Sequence, residues 1–159
     1  MSKQLMLKPE KCTGCRSCEL ICSYNRAKTF NPRNSSISVM IYDEAAISVP
    51  VMCLQCEEAC CVSVCPVQAM YKDETGTVKC DTQKCIVCKM CVNACPLGGV
   101  SFSPSTKKIV KCDLCDGDPN CVKFCPSECL VYSDEGDALG RKKAMALALK
   151  EVFGKEASA

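Results

Sequence analysis

Three stretches of the chain run apolar over short distances and break at a polar turn. The longest, ISVMIYDEAAISVPVMC, spans residues 37–53 and predicts a hairpin turning at Asp43 and Glu44. AMYKDETGTVKC, residues 69–80, predicts two short strands around the turn Asp73–Gly76, which carries the aspartate and glycine that such turns favour. VSFSPSTKKIVKC, residues 100–112, repeats the plan with Pro104 and Ser105 in the turn. Segments such as CVSVCP and CVNACP leave room for one helical turn before their proline. Over residues 138–153 the period changes to that of a helix, with Ala138, Met145, Leu149, Val152 and Phe153 on one face. The pattern is that of an α+β chain of short hairpins and helical turns, with a C-terminal helix.

These elements hold too few apolar residues to make a core. The chain has 159 residues, enough for one domain or two closely packed halves. Its apolar fraction of 48% includes 19 cysteines. Those are about 12% of the chain, above the roughly 8–10% that already marks a cysteine-built scaffold, and they leave only about 36% for ordinary hydrophobes. There is no Trp, and aromatic residues make up 5%. Something bonded to the sulfurs must fill the interior.

The sulfurs are ordered in runs. KCIVCKMCVNACP, residues 84–96, sets Cys85, Cys88, Cys91 and Cys95 at intervals of three, three and four, then a proline. There are four such runs along the chain. Cys12, Cys15, Cys18 and Cys22 stand in CTGCRSCELIC, and Cys53, Cys56, Cys61 and Cys65 in CLQCEEACCVSVCP. In CDLCDGDPNCVKFCP the members are Cys112, Cys115, Cys121 and Cys125, with DGDPN forming a turn between the second and third. Each run ends in Cys-x-x-x-Cys, which selects Cys61 over its neighbour Cys60. Cys60, Cys80 and Cys129 are left over. They read as small buried apolar residues or as hydrogen-bonding neighbours of a metal group. The sharper reading makes one of them a substitute ligand or redox thiol, Cys60 foremost.

Disulfides, zinc and iron–sulfur clusters all gather thiols. Disulfides need an oxidising compartment, and MSKQLMLKPEKC carries no apolar signal-peptide region, so the chain reads as cytoplasmic. An odd cysteine count also fits a disulfide framework poorly. Zinc sites pair two CxxC motifs across a spacer, usually with some histidine, and this chain has none. CxxCxxCxxxCP is instead the bacterial ferredoxin run, in which three thiolates hold one [4Fe–4S] cube and the fourth reaches the neighbouring cube. Sixteen thiols suffice for four [4Fe–4S] clusters, and the lack of histidine removes Rieske-type ligation. Each cube with four thiolates carries roughly −2 when oxidised, which moves the formal charge of +2 to about −6.

From Lys3 to about Tyr132 the chain resembles the four-cluster ferredoxin subunits of molybdenum and tungsten oxidoreductases. Within that family, CTGCRSCELICS followed by FNPRNSSISV most resembles the small subunit of tungsten-dependent aldehyde oxidoreductases. The small subunit of class II benzoyl-CoA reductases is similar. The resemblance implies two bacterial-ferredoxin-like dicluster modules, one split around the other. An outer module would join runs 12–22 and 112–125, and an inner module runs 53–65 and 85–95. It also implies the ligand sets: Cys12, Cys15 and Cys18 with Cys125; Cys112, Cys115 and Cys121 with Cys22; Cys53, Cys56 and Cys61 with Cys95; Cys85, Cys88 and Cys91 with Cys65. Residues 1–133 would form this polyferredoxin domain and residues 134–159 a helical extension for subunit docking. Two features depart from the family pattern: the insert of the fourth run is short, and Ser23 rather than proline follows Cys22.

No nucleophile–base pair and no phosphate-binding glycine loop is present, so the chemistry belongs to the cofactor. The function implied is electron transfer, without catalysis of its own, between a large tungsten- or molybdenum-containing catalytic subunit and a redox partner. That partner would be a flavin- or NAD-linked subunit or a ferredoxin. The same resemblance leaves the benzoyl-CoA reductase, formate dehydrogenase, hydrogenase and carbon monoxide dehydrogenase systems open. A rival reading is a scaffold that links catalytic subunits or self-associates through its C-terminal helix, whose apolar face packs either on its own domain or on a neighbour. A small enzyme in its own right is the third. Lys107, Lys108, Lys111, Arg141, Lys142 and Lys143 read as solvated surface. No run is basic enough for nucleic acid, and no 18-residue apolar stretch spans a membrane.

Overall fold

The structure, a computed structural model, describes residues 3–43, 46–134 and 146. Strand β1 (Gln4–Leu7) pairs antiparallel with β8 (Leu130–Ser133), in a register running from Gln4 opposite Ser133 to Leu7 opposite Leu130. Between them lie three hairpins: β2 (Ile37–Tyr42) with β3 (Ile47–Met52), β4 (Met70–Lys72) with β5 (Val78–Cys80), and β6 (Val100–Ser103) with β7 (Lys108–Lys111). Among the described residues no sheet is wider than two strands. Such ribbons are marginal in water and need packing at their backs.

The turns form where turn chemistry is present. The Asp73 carboxylate accepts the backbone N–H groups of Thr75 and Thr77, both at 2.9 Å, and Gly76 takes φ 80°. Ser103 Oγ accepts the Thr106 N–H at 3.2 Å and closes the turn that holds Pro104 and Ser105. Asp43 begins the turn after β2, while Glu44 lies outside the described residues.

Helices α2 (Cys60–Ser63), α3 (Met90–Ala94) and α4 (Asn120–Lys123) last a single turn. Each is followed within a few residues by Pro66, Pro96 or Pro126, which cannot continue a helix. Helix α1 (Ser17–Ala27) runs for 11 residues, longer than the one turn its run predicts. Ser23 stands where the other runs have proline, so nothing stops the helix until Lys28 turns left-handed at φ 54°. Helix α1 packs on α4, and α2 on α3. The helix expected over residues 138–153 lies outside the described residues, apart from the single residue 146. No helix among the described residues is long and apolar enough to cross a membrane.

Among the described residues two cores result, and both are built around sulfur. In one, buried Cys18 and Cys121 pack with Leu5, Ile37, Val39, Met52, Leu114 and Leu130, flanked by Cys12, Cys22, Cys112 and Cys125. In the other, buried Cys61 and Cys91 pack with Ala59, Met70, Val78, Val100 and Ile109, flanked by Cys65, Cys80, Cys85 and Cys95. Short antiparallel strand pairs mixed with short helices around thiol-rich cores fit the ferredoxin-like dicluster architecture that the sequence resemblance implies.

A repeat runs through three of the strand pairs. Buried Met70, Val100 and Leu130 start a strand and sit opposite Cys80, Lys111 and Leu7. Each is preceded by a small residue: Ala69, Gly99 and Cys129. At Gly99 a Cβ would stand 2.8 Å from the Cys53 Cα, so no side chain fits. Gly99→Ala is therefore expected to cost about 1–3 kcal/mol through overpacking. The measurement is a lower thermal midpoint in the cluster-loaded protein.

Candidate functional site

Each run opens with C-x-x-C, and in all four the residue before the second cysteine is left-handed: Gly14 (φ 69°), Gln55 (48°), Val87 (58°) and Leu114 (58°). In three of them the residue after it is left-handed too: Arg16, Lys89 and Asp116. For the β-branched Val87 this conformation costs about 1–3 kcal/mol. Left-handed residues within a turn swing backbone N–H groups to one side, forming a concavity suited to an anion. A second left-handed turn recurs three residues beyond Cys65, Cys95 and Cys125, at Gln68, Gly98 and Glu128.

The N–H groups reach sulfur. Gln55 N–H donates to Cys53 Sγ at 3.4 Å, Ala69 N–H to Cys65 Sγ at 3.2 Å and Ser36 N–H to Cys22 Sγ at 3.3 Å. At Cys65 burial disfavours the thiolate, but the N–H groups of Met70, Val67, Ala69 and Gln68 outweigh it and lower the pKa. At Cys125 the N–H of Leu130 and the hydroxyl of Ser127 outweigh burial in the same way. Deeper in, burial wins: it pushes Cys18 up to about 12 and Cys61 up to about 11, and raises Cys121 further. Such thiols keep their protons until a cation replaces them, so metal binding and proton release are coupled.

One cavity is lined by Cys22, Cys112, Cys115 and Cys121, and a second by Cys53, Cys56, Cys60, Cys61 and Cys95. Elsewhere Cys12, Cys15 and Cys18 lie close enough that charge on the first two adds to the rise at Cys18, and Cys125 packs in the same core as Cys12. Charge on Cys85 and Cys65 likewise adds to the effect of burial at Cys91. Cys88 is exposed on the loop between Cys85 and Cys91, and Cys15 is exposed on its own loop. Among the described residues, no three Cys, Asp or Glu side chains converge on a point small enough for one metal ion. In a cube each thiolate takes its own iron, so the sulfurs stand further apart than round a single zinc with its Zn–S distances of about 2.3 Å.

The three remaining cysteines differ from one another. Cys60 is exposed at the start of α2, beside buried Cys61. Cys80 is half-buried and hydrogen-bonded to Cys85, and burial with that charge pushes it up to about 12. Cys129, 2% exposed, stands where the other repeats have Ala69 and Gly99, a position that takes a small side chain.

Lys111 is a correction to the sequence reading. It is 3% exposed, not solvated, and its ammonium donates to Cys53 Sγ at 2.9 Å, to the Cys112 carbonyl at 3.0 Å and to the Val78 carbonyl at 3.2 Å. The available signal was strand period, which puts Lys111 on the same face as buried Ile109. Gln55 was also missed. Its side chain joins the Cys112 carbonyl and the Val78 N–H, both at 2.9 Å.

The chain resembles known proteins. The 4Fe-4S dicluster domain family matches residues 44–135, and a 4Fe-4S binding domain matches residues 9–25. The chain belongs to the 4Fe-4S dicluster family. Among relatives of this dicluster protein, the polyferredoxin-like subunit of aliphatic sulfonate oxidoreductase from Pyrococcus furiosus is 43% identical over 123 residues, 76% of this chain and 70% of that one. The thiosulfate reductase electron transfer subunit PhsB of Salmonella typhi is 33% identical, over 82% of this chain and 76% of that one. A chain of the benzoyl coenzyme A reductase complex BamBC, solved with benzoyl-CoA, is 24% identical with a TM-score of 0.51, over 99% of this chain and 97% of that one. That last likeness shows the fold alone. Family membership and the abundance of thiols agree: this dicluster protein binds [4Fe–4S] clusters.

Proposed function

We propose that the chain carries electrons through four [4Fe–4S] clusters between a large tungsten- or molybdenum-containing catalytic subunit and a second redox partner. The ligand sets proposed are Cys12, Cys15, Cys18, Cys125; Cys112, Cys115, Cys121, Cys22; Cys53, Cys56, Cys61, Cys95; and Cys85, Cys88, Cys91, Cys65. The pairing of β1 with β8 and the packing of α1 on α4 support an outer module whose halves enclose an inner one. Cys53 lies close enough to Cys112 for its charge to add to the rise that burial causes there, which supports a junction of the two modules at these residues.

The four sets then fall in one order, from the Cys12 set through the Cys112 and Cys53 sets to the Cys85 set. Exposure carries the reading. Of the sixteen proposed ligands Cys15 and Cys88 are the exposed ones, and they belong to the two ends of that order. A cube supplies reversible one-electron chemistry, and the chain supplies spacing, burial and hydrogen bonds. A compact chain of this length has a radius of gyration near 15 Å, which keeps successive sites close. The relatives named as oxidoreductase and thiosulfate reductase subunits support a subunit role. The tungsten or molybdenum partner, with aldehyde oxidoreductase as the leading system, rests on CTGCRSCELICS and FNPRNSSISV. Residues 134–159 are the docking extension in this reading.

Anaerobic copurification tests it. The full chain is expected to bring down a large subunit containing tungsten or molybdenum, and a chain truncated after Ser133 to bring down less while keeping its iron. Substrate turnover by the isolated chain, or a partner free of both metals, contradicts the reading.

A further inference from the structure

We propose that the buried ammonium of Lys111 raises the reduction potential of the cube bound through Cys53, so that electrons collect at the junction of the two modules. This rests on the four-cluster reading above. The first support is internal to the chain. In the three repeated strand pairs, the residue opposite Leu130, Met70 and Val100 is Leu7, Cys80 and Lys111 respectively. Two of these positions hold an apolar or thiol side chain, and the third holds a cation. Packing that is satisfied by leucine and cysteine does not require a lysine.

The second support is the hydrogen bonding. The nitrogen faces three acceptors, Cys53 Sγ, the Val78 carbonyl and the Cys112 carbonyl, which use all three protons of an ammonium. Among the described residues it has no carboxylate partner. A buried cation without an anion is costly, so the negative charge that compensates it is that of the thiolate and the cube it holds.

The third support is position. Cys53 belongs to the inner module and Cys112 to the outer one, and Lys111 bonds to both. Gln55 contacts the same three residues, donating its backbone N–H to Cys53 Sγ and joining the Cys112 carbonyl and the Val78 N–H through its side chain. The Arg26 guanidinium bonds to the Lys111 carbonyl and pairs with Asp113 at 3.2 Å, which fixes the backbone that carries the ammonium.

Cluster potentials follow net charge, hydrogen bonds to the sulfurs and exposure. Reduction adds one negative charge to a cube, and a positive charge hydrogen-bonded to a ligand sulfur stabilises that state. The water-poor surroundings strengthen the effect.

The test is an anaerobic potentiometric titration of the full, cluster-loaded chain, followed by electron paramagnetic resonance, in wild type, Lys111→Met and Lys111→Arg. With iron content unchanged, Lys111→Met is expected to weaken electron binding at one cube about tenfold, a downward shift of about 59 mV for a one-electron couple. Lys111→Arg, which keeps the charge, is expected to stay closer to wild type at that cube. Iron retained with every midpoint unmoved overturns the proposal, and so does an equal shift at all four. If Lys111→Met loses its iron, wild-type protein labelled with 15N in lysine alone decides. A 15N hyperfine coupling on one reduced cube supports the proposal, and its absence overturns it. No reduced-cluster signal at all in the wild type would overturn the underlying four-cluster reading, and this inference with it.

Discussion

Removing iron with a chelator is expected to unfold the described body of the chain rather than leave an empty shell. Both cores place cysteine at their centres, Cys18 and Cys121 in one and Cys61 and Cys91 in the other. Around them stand only two-stranded ribbons and helices of four or five residues, apart from α1. None of these is stable alone. Without iron the interior would hold protonated thiols around vacated space, and strained turns such as that at Val87 would lose the anion they surround. A structural metal site contributes on the order of 10 kcal/mol, comparable with the whole stability of an ordinary domain. Near-UV dichroism and limited proteolysis before and after chelation provide the measurement. Loss of the dichroism and rapid digestion are expected. A compact, protease-resistant apo form would show that the peptide core suffices.

The adjacent pair Cys60 and Cys61 offers a sharper contrast than any other single site. Both line the cavity shared with Cys53, Cys56 and Cys95, but Cys61 is buried whereas Cys60 is exposed at the start of α2. Cys61→Ala is expected to remove one ligand and with it about four irons per chain. It also leaves a void in the inner core, at a cost of the same kind as other large-to-small core changes. Cys60→Ala is expected to keep its full iron content and to change stability by less than about 0.5 kcal/mol. Iron and labile sulfide analysis of the two purified variants separates these outcomes. If Cys60→Ala loses the iron and Cys61→Ala keeps it, the assignment of the third ligand is reversed.

Much of the fold was legible because two periods were plain. Apolar arms on either side of Asp73–Gly76 and of Pro104–Ser105 specify hairpins, and both form there with the bonds those turn residues make. Proline after Cys65, Cys95 and Cys125 limits three helices to a turn. In the first run Ser23 stands in place of that proline, and α1 outlasts the single turn expected of it.

What escaped is what the interior imposes against local preference. Glycine at residue 14 hints at a left-handed loop, but Gln55, Val87 and Leu114 take the same conformation with side chains that disfavour it. Local sequence cannot signal such a turn, because its cost is met by the group it surrounds. Lys111 is the other instance. Its charge marks it as surface, whereas its place in the strand, on the face of Ile109 and opposite Val100, takes it inward to the Cys53 sulfur. Composition alone sees a lysine, whereas the topology makes it a buried donor.

The central claim is that four complete thiol sets each hold a cube. The most direct test is the iron and acid-labile sulfide content of the full chain, purified anaerobically and normalised to protein by amino-acid analysis. The account predicts about sixteen of each per chain. Iron near zero with stoichiometric zinc would contradict it.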